Sequence, residues 1–338
     1  MSERERVDQL GRLFTTKVRP VLGRAKRAVL RLLSPVDAAP VSAPVAPPPP
    51  MPPEERPRPL PEGWTEAELR DAMHSISVDA SAPGELGSYV DDAFWRFLQS
   101  WGLVRELSGT ALELGANPYF ITWLLREFTS LDLSLANYFG GDRGAHQQQF
   151  AYTDRDGITT QVVLHSQLFN MEEDRFPYDD DSFDVVLFCE ILEHLLVDPL
   201  HAIREIHRVL RPGGCLVLTT PNVARLGNVL ALVAGENLYD PYSGFGPYGR
   251  HNREYTQHEL VKLLTFAGFS VDAAFTANAH PEHYDSRFAF GQVMPLVDFR
   301  RNDLGQYLFA KATKAESPRA GLPTWLYRSL AADQLVDD

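Results

Sequence analysis

One stretch limits the fold more than any other: Asp184 to Asn222, DVVLFCEILEHLLVDPLHAIREIHRVLRPGGCLVLTTPN. Val185 to Phe188 is a short run of large apolar residues, the signature of a strand buried on both faces. Asp198-Pro199 supplies an N-cap and a first helical residue. Apolar residues at 200, 203, 206, 209 and 210 predict a half-buried helix over Leu200–Leu210. Arg211-Pro-Gly-Gly214 stops that helix, and Cys215 to Thr219 reads as a second buried strand. Strand, crossover helix and strand make a βαβ unit, so the sheet is parallel here.

Composition sets the outer limits. The 338 residues suit one globular body plus appendages, and the net charge of −13 is unevenly spread. Residues 1–34 carry nine Lys/Arg against three acidic residues, which leaves −19 on the remainder. So acidic a body opposes nucleic-acid binding over its general surface. Residues 1–34 read as a basic amphipathic leader suited to peripheral contact with an anionic membrane surface. Residues 35–61 form a Pro/Ala-rich linker, 62–315 the globular body, and 316–338 a loosely attached tail. The two cysteines, Cys189 and Cys215, fit a reducing cytoplasm, and no apolar run is long enough for a membrane span.

The rest of the chain continues the α/β pattern. Thr65-Glu-Ala-Glu68 is a capping box that opens a helical region over 64–107. Thr110–Leu114 is a strand ended by Gly115, and Ala116-Asn117-Pro118 leads into a helix over Tyr119–Phe128. Ser130–Ala136 is the next strand. Alternation on either side of Asp156-Gly157 predicts a β-hairpin whose second arm becomes the sheet's third strand. Thr256-Gln-His-Glu259 is a second capping box, opening a helix to Ala267. Ser270–Ala277 and Gln306–Ala312 are expected as an antiparallel edge.

Taken in order, FDVVLFCEILEHL and LRPGGCLVLTTPN resemble the fourth and fifth strands of class I S-adenosylmethionine-dependent methyltransferases. The likeness covers roughly residues 85–315. It implies a Rossmann-like, seven-stranded, mostly parallel sheet with an antiparallel edge strand and helices on both faces. It also implies S-adenosylmethionine as cofactor. On the family's first motif, Glu113 would hold the amino group, with Gly115, Ala116 and Asn117 passing close to the methionine. The motif's later glycines are replaced by Asn117 and Tyr119. The ribose contact falls to Asn137 by position or to Asp132 by chemistry. Asn170, Met171 and Glu172 stand where the family contacts adenine, and Cys189 ends the fourth strand.

Glu190, Glu193 and His194 stand at i, i+3 and i+4, so on a helical turn they would point one way. With His251 they resemble the metal-holding set of small-RNA 2′-O-methyltransferases, and ubiquinone-pathway O-methyltransferases share the Glu-x-x-Glu-His element. The implied ion is Mg²⁺ or Mn²⁺. Without a metal, His194 or His251 is the expected proton acceptor. Gly235–Arg253 holds four Tyr/Phe rings among Asp, Asn, Arg and His, which suits a polar or saccharide acceptor. Methyl transfer to a hydroxyl of such an acceptor is the leading expectation. A metal-dependent RNA 2′-O-methyltransferase and a non-catalytic scaffold of the same fold stay open beside it.

Overall fold

A computed structural model describes residues 58–79, 85–281 and 290–337. The leader and most of the linker lie outside the described residues.

The first elements are α1 (Glu66–His74), β1 (Ser77–Val78), α2 (Glu85–Val104), β2 (Ser108–Leu114) and α3 (Phe120–Phe128). Next come β3 (Ser130–Asn137), β4 (Gly144–Thr153), β5 (Thr159–Leu168) and β6 (Phe183–Cys189). Then follow α4 (Pro199–Val209), β7 (Leu210–Pro221), α5 (Leu226–Ala234), α6 (Gln257–Phe266) and β8 (Phe269–Ala277). The chain continues through α7 (Phe290–Val297), β9 (Tyr307–Lys314), β10 (Leu322–Pro323) and β11 (Leu335–Val336).

Nine strands form one sheet in the order β1-β4-β5-β3-β2-β6-β7-β9-β8. β5, β3, β2, β6 and β7 run parallel, while β9 lies antiparallel between β7 and β8. These are the seven strands expected. Two more extend the sheet beyond the count of seven: β4, the first arm of the Asp156-Gly157 hairpin, and β1, which pairs antiparallel with it. β1 escapes a reading by periodicity because two residues have no period.

Residue alternation along the central strands sorts the core into two layers. Ala111, Val185, Leu187, Cys215 and Val217 face α1, α2 and α3; Leu112, Val186, Phe188, Leu216 and Leu218 face α4 and α6. Each fully buried aliphatic side chain contributes about 1.5–3 kcal/mol of apolar transfer, so neither face tolerates a register slip. Both capping boxes form. Thr65 Oγ1 and Thr256 Oγ1 accept from the amides of Glu68 and Glu259, and each Glu carboxylate returns the bond. Asp198 caps α4 through the amides of Leu200 and His201, ahead of Pro199.

Residues 316–337 correct an expectation. They are docked, not loosely attached. Arg204 on α4 donates to the carbonyls of Arg319 and Gly321, at 2.6 and 2.7 Å. Tyr327 Oη meets Asp198 Oδ1 at 2.5 Å and accepts from the Leu200 amide. Leu322, Trp325 and Leu326 pack on the α4–α6 layer. No helix among the described residues is long and apolar enough to cross a membrane.

Candidate functional site

The strand order reverses between β2 and β6, and at the carboxyl ends of these strands the two following chains part. In an open α/β sheet this is where a ligand is received. A cavity partly open to solvent lies there. Glu113, Gly115, Ala116 and Asn117 line it from β2 and its turn, Cys189 and Glu190 from β6, and Tyr89, Arg96 and Phe97 from α2. Gly115 holds φ +65°, and a Cβ there would stand 2.7 Å from Ile191 Cδ1. Only glycine lets the backbone pass this closely.

Glu113 is buried, and Thr122 Oγ1 donates to it at 2.6 Å. Burial pushes its carboxyl up to about 8, with the Thr122 bond opposing. Among the described residues no cation pairs with it. A carboxylate so placed suits an ammonium brought by a ligand.

Asn117 and Tyr119, the two departures from the glycine pattern, are explained by their neighbours. Tyr119 takes a left-handed conformation, φ +74°, where a glycine would be unstrained. Its ring is buried edge-on against Phe150, and its hydroxyl donates to Gln148 Oε1 at 2.6 Å and accepts from Asn137 Nδ2. Asn137 Oδ1 takes the Asn117 amide at 2.8 Å. Both ends of the Asn137 amide are thus spent on the turn, and Asn137 does not line the cavity. Neither does Asp132, which is exposed on β3.

Asn170, Met171 and Glu172 also lie outside the cavity wall. Met171 packs in the core. Glu172 Oε1 accepts the amides of Leu196, Val197 and Asp198, and its Oε2 accepts from Tyr248 Oη at 3.0 Å. Glu172 therefore clamps the loop between β6 and α4. Asn170 Oδ1 accepts the Glu172 amide, and its Nδ2 donates to Tyr248 Oη at 3.3 Å.

The expected helical turn at Glu190–His194 does not form. Glu190 is left-handed, φ +55°, and only Leu192–His194 makes one 3₁₀ turn. Glu190 is drawn away to Arg96, with Nη1 to Oε2 at 2.5 Å, and accepts from Thr219 Oγ1. It leaves the metal set. Glu193, His194 and His251 do converge, with one ligand atom from each inside 4.8 Å of the others. Glu193 is fully buried. Thr220 Oγ1 holds its Oε2, while its Oε1 makes no hydrogen bond and lies 3.8 Å from His194 Nε2. Burial, with Glu190 nearby, pushes its carboxyl up to about 8.

The two imidazoles stand edge to face, 5.1 Å between centroids, and their pKa values shift in opposite directions. Burial, and then the charge of His251, hold His194 below the ordinary histidine range. Its Nδ1 meets the Arg250 carbonyl at 3.0 Å. A carbonyl only accepts, so Nδ1 carries the proton and Nε2 keeps a lone pair. Burial works against charge on His251, but the Glu254 bond at 2.9 Å and the Glu193 and Asp240 carboxylates raise it.

Arg96 was not singled out from sequence. It lies on the buried face of α2 with Ser100 four residues on and Tyr89 seven before. A lone cation in the apolar run AFWRFL, followed at i+4 by a serine, was the available signal. Burial opposes its charge, yet Glu190 and the hydroxyls of Tyr89 and Tyr307 hold its guanidinium well above the usual range.

The model of a family described as "Methyltransferase domain" matches residues 89–274, more than half of the chain. A probable S-adenosylmethionine-dependent methyltransferase of Mycolicibacterium smegmatis is 35% identical over 96 residues, 28% of this chain and 32% of that protein. The mitochondrial ubiquinone biosynthesis O-methyltransferase of Rattus norvegicus is 35% identical over 95 residues, 27% of this chain and 26% of its own. The matched stretch thus spans about a third or less of these relatives' length. Among solved structures, a SAM dependent methyltransferase from Archaeoglobus fulgidus aligns with TM-score 0.41 at 14% identity. That alignment covers 67% of this chain and 94% of the other.

Proposed function

The chain belongs to the methyltransferase domain family, and from that premise we propose that it moves a methyl group from S-adenosylmethionine to a hydroxyl of a small polar or saccharide acceptor. The residues present fit the cofactor. A buried carboxylate without a cation, Glu113, faces the cavity beside the Gly115 cradle, and the Arg96 guanidinium lies across it. Glu113 would receive the cofactor's ammonium. The bound cofactor supplies an electrophilic methyl group, and positioning and proton handling fall to the chain.

His194 carries the reading. Its Nε2 makes no hydrogen bond and lies 3.8 Å from Glu193 Oε1, burial favours its neutral form, and it follows Glu190 by four residues on the loop leaving β6. With the cofactor's methyl group presented to the acceptor oxygen, His194 Nε2 would take the hydroxyl proton. The Arg250 carbonyl fixes the tautomer. Alignment of the two reactants supplies most of the remaining rate.

A second reading rests on Glu193. Its buried Oε1, which makes no hydrogen bond, stands with the two histidine nitrogens as a donor set that Mg²⁺ or Mn²⁺ could take, while Glu190 is paired with Arg96. Such an ion would bind adjacent hydroxyls and lower a hydroxyl pKa.

Calorimetric titration with S-adenosylhomocysteine, with and without EDTA, Mg²⁺ or Mn²⁺, comes first. Micromolar binding unchanged by EDTA supports the metal-free reading. His194→Ala should then keep cofactor-product affinity and lower turnover about 10²–10⁴-fold on the acceptor found by screening sugars. A separate heat from the ion that vanishes in His194→Ala and His251→Ala would move the metal reading to first place. No binding under any condition would sink the enzyme and leave the scaffold.

A further inference from the structure

Of the four rings on Gly235–Arg253, three stand in solvent: Tyr239, Tyr242 and Phe245 are 86, 92 and 92% exposed. The fourth, Tyr248, is turned inward and tied down. It sits in a 3₁₀ turn, Pro247–Gly249, and its ring meets Tyr138 edge to face at 5.6 Å. Tyr138 directly follows β3, and Asn170 follows β5 by two residues. Tyr248 therefore closes onto the carboxyl ends of β3 and β5; neither tyrosine lines the cavity, but Asn117 of its wall is bonded to Asn137, the residue before Tyr138.

The same short segment builds the acceptor side. The Asn252 and Arg253 amides donate to the Glu193 carbonyl at 2.7 and 3.2 Å. Asn252 Nδ2 donates to the carbonyls of His194 and Pro247, at 2.8 and 2.9 Å. The Arg250 carbonyl, two residues past Tyr248, takes His194 Nδ1. Glu172 connects the two sides. One of its oxygens holds Tyr248, and the other holds the backbone of Leu196 to Asp198, which begins two residues past His194.

We propose that Tyr248, held on Glu172, is a positioning residue that couples filling of the nucleoside end of the cofactor site to the seating of His194 and His251. The half-buried Tyr138–Tyr248 pair offers aromatic surface to a planar base. A base packed there steadies Tyr248 on Glu172. That steadies the Pro247–Arg253 segment, and with it the carbonyl that sets the His194 tautomer. The proposal rests on S-adenosylmethionine as cofactor.

Amide hydrogen exchange of the full chain, with and without S-adenosylhomocysteine, tests it alongside calorimetry. In the unmodified protein the ligand should slow exchange at Asn252 and Arg253 about tenfold or more, since their opening must break the latch. Tyr248→Phe keeps the ring and removes the hydroxyl. It should abolish that slowing while changing ligand Kd by less than about threefold, because the stacking surface remains. Ligand binding to the unmodified protein without slowing at 252–253 overturns the latch alone. So does slowing that persists in Tyr248→Phe, and so does a Kd change of tenfold or more with slowing intact. Failure of the unmodified protein to bind the ligand fells the cofactor reading and the latch together.

Discussion

A carboxyl that titrates at about 8 must lose a proton before it can receive an ammonium, and this makes Glu113 testable without any acceptor. At pH 7 such a group is about nine-tenths protonated, so each S-adenosylhomocysteine bound should release about 0.9 proton. The sign follows. The free protein holds more protons than the complex, so affinity rises with pH until about 8 and then levels. Between pH 6 and 7 the Kd should tighten about ninefold, close to the 1.4 kcal/mol that one pH unit represents. Calorimetry at each pH in two buffers of different ionisation enthalpy reads both Kd and protons released. Glu113→Gln keeps a partner for Thr122 but cannot ionise; it should bind more weakly, with a Kd flat from pH 6 to 8 and no buffer-dependent heat. Stability provides an independent check. The folded pKa lies above the unfolded one, so the stability tied to the neutral carboxyl is full below the ordinary carboxylate range. It is lost as pH rises toward about 8, and urea denaturation of Glu113→Gln should lack that decline. A ligand Kd equal at pH 6 and 7, with no buffer dependence, would refute the argument.

Three other substitutions probe the surroundings. Tyr119→Gly relieves a left-handed residue worth about 1–2 kcal/mol but removes a buried ring worth about 3–5 kcal/mol, so chemical denaturation should show a net loss. Arg96→Ala leaves the largely buried Glu190 without its ion partner, with only the Thr219 hydrogen bond remaining, and should cost up to about 3–5 kcal/mol; Arg96→Met with Glu190→Gln should regain most of it, and equal stability of the single and double variants would contradict the pairing. Asp198→Ala removes the cap of α4 and the partner of Tyr327, and should cost about 1–2 kcal/mol by denaturant midpoint.

Local rules were readable where cause and effect lie within a few residues. The capping boxes at Thr65 and Thr256, the Asp198-Pro199 start of α4 and the unbroken apolar runs of β6 and β7 all follow from neighbours in the chain. So does the hairpin at Asp156-Gly157. What escaped depends on distant partners. Glu190 could not be assigned without Arg96, nearly a hundred residues earlier, and that ion pair overrode the i, i+3, i+4 argument. Tyr119 occupies a conformation that sequence assigns to glycine because Phe150, Gln148 and Asn137 hold it there. Glu172 sits where a family resemblance suggests adenine, yet its lone pairs are filled by loop amides and Tyr248. Residues 316–337 lack a periodic apolar run, so their anchoring through Arg204 and Tyr327 left no pattern to read.

That anchoring has a consequence for synthesis. The chain emerges from the ribosome from its amino end, yet β9 must slot between β7 and β8, and Tyr327 reaches back 129 residues to Asp198. Every strand that borders the cavity has been made long before the sheet can close. While the ribosome adds the stretch from Asn222 to Lys314, the outer edge of β7 stays open, with its ladder groups unpaired. A nascent chain of this design is therefore exposed to strand exchange with its neighbours late in translation, not early. A pause placed before β9 should lower the soluble yield more than one placed after Tyr327.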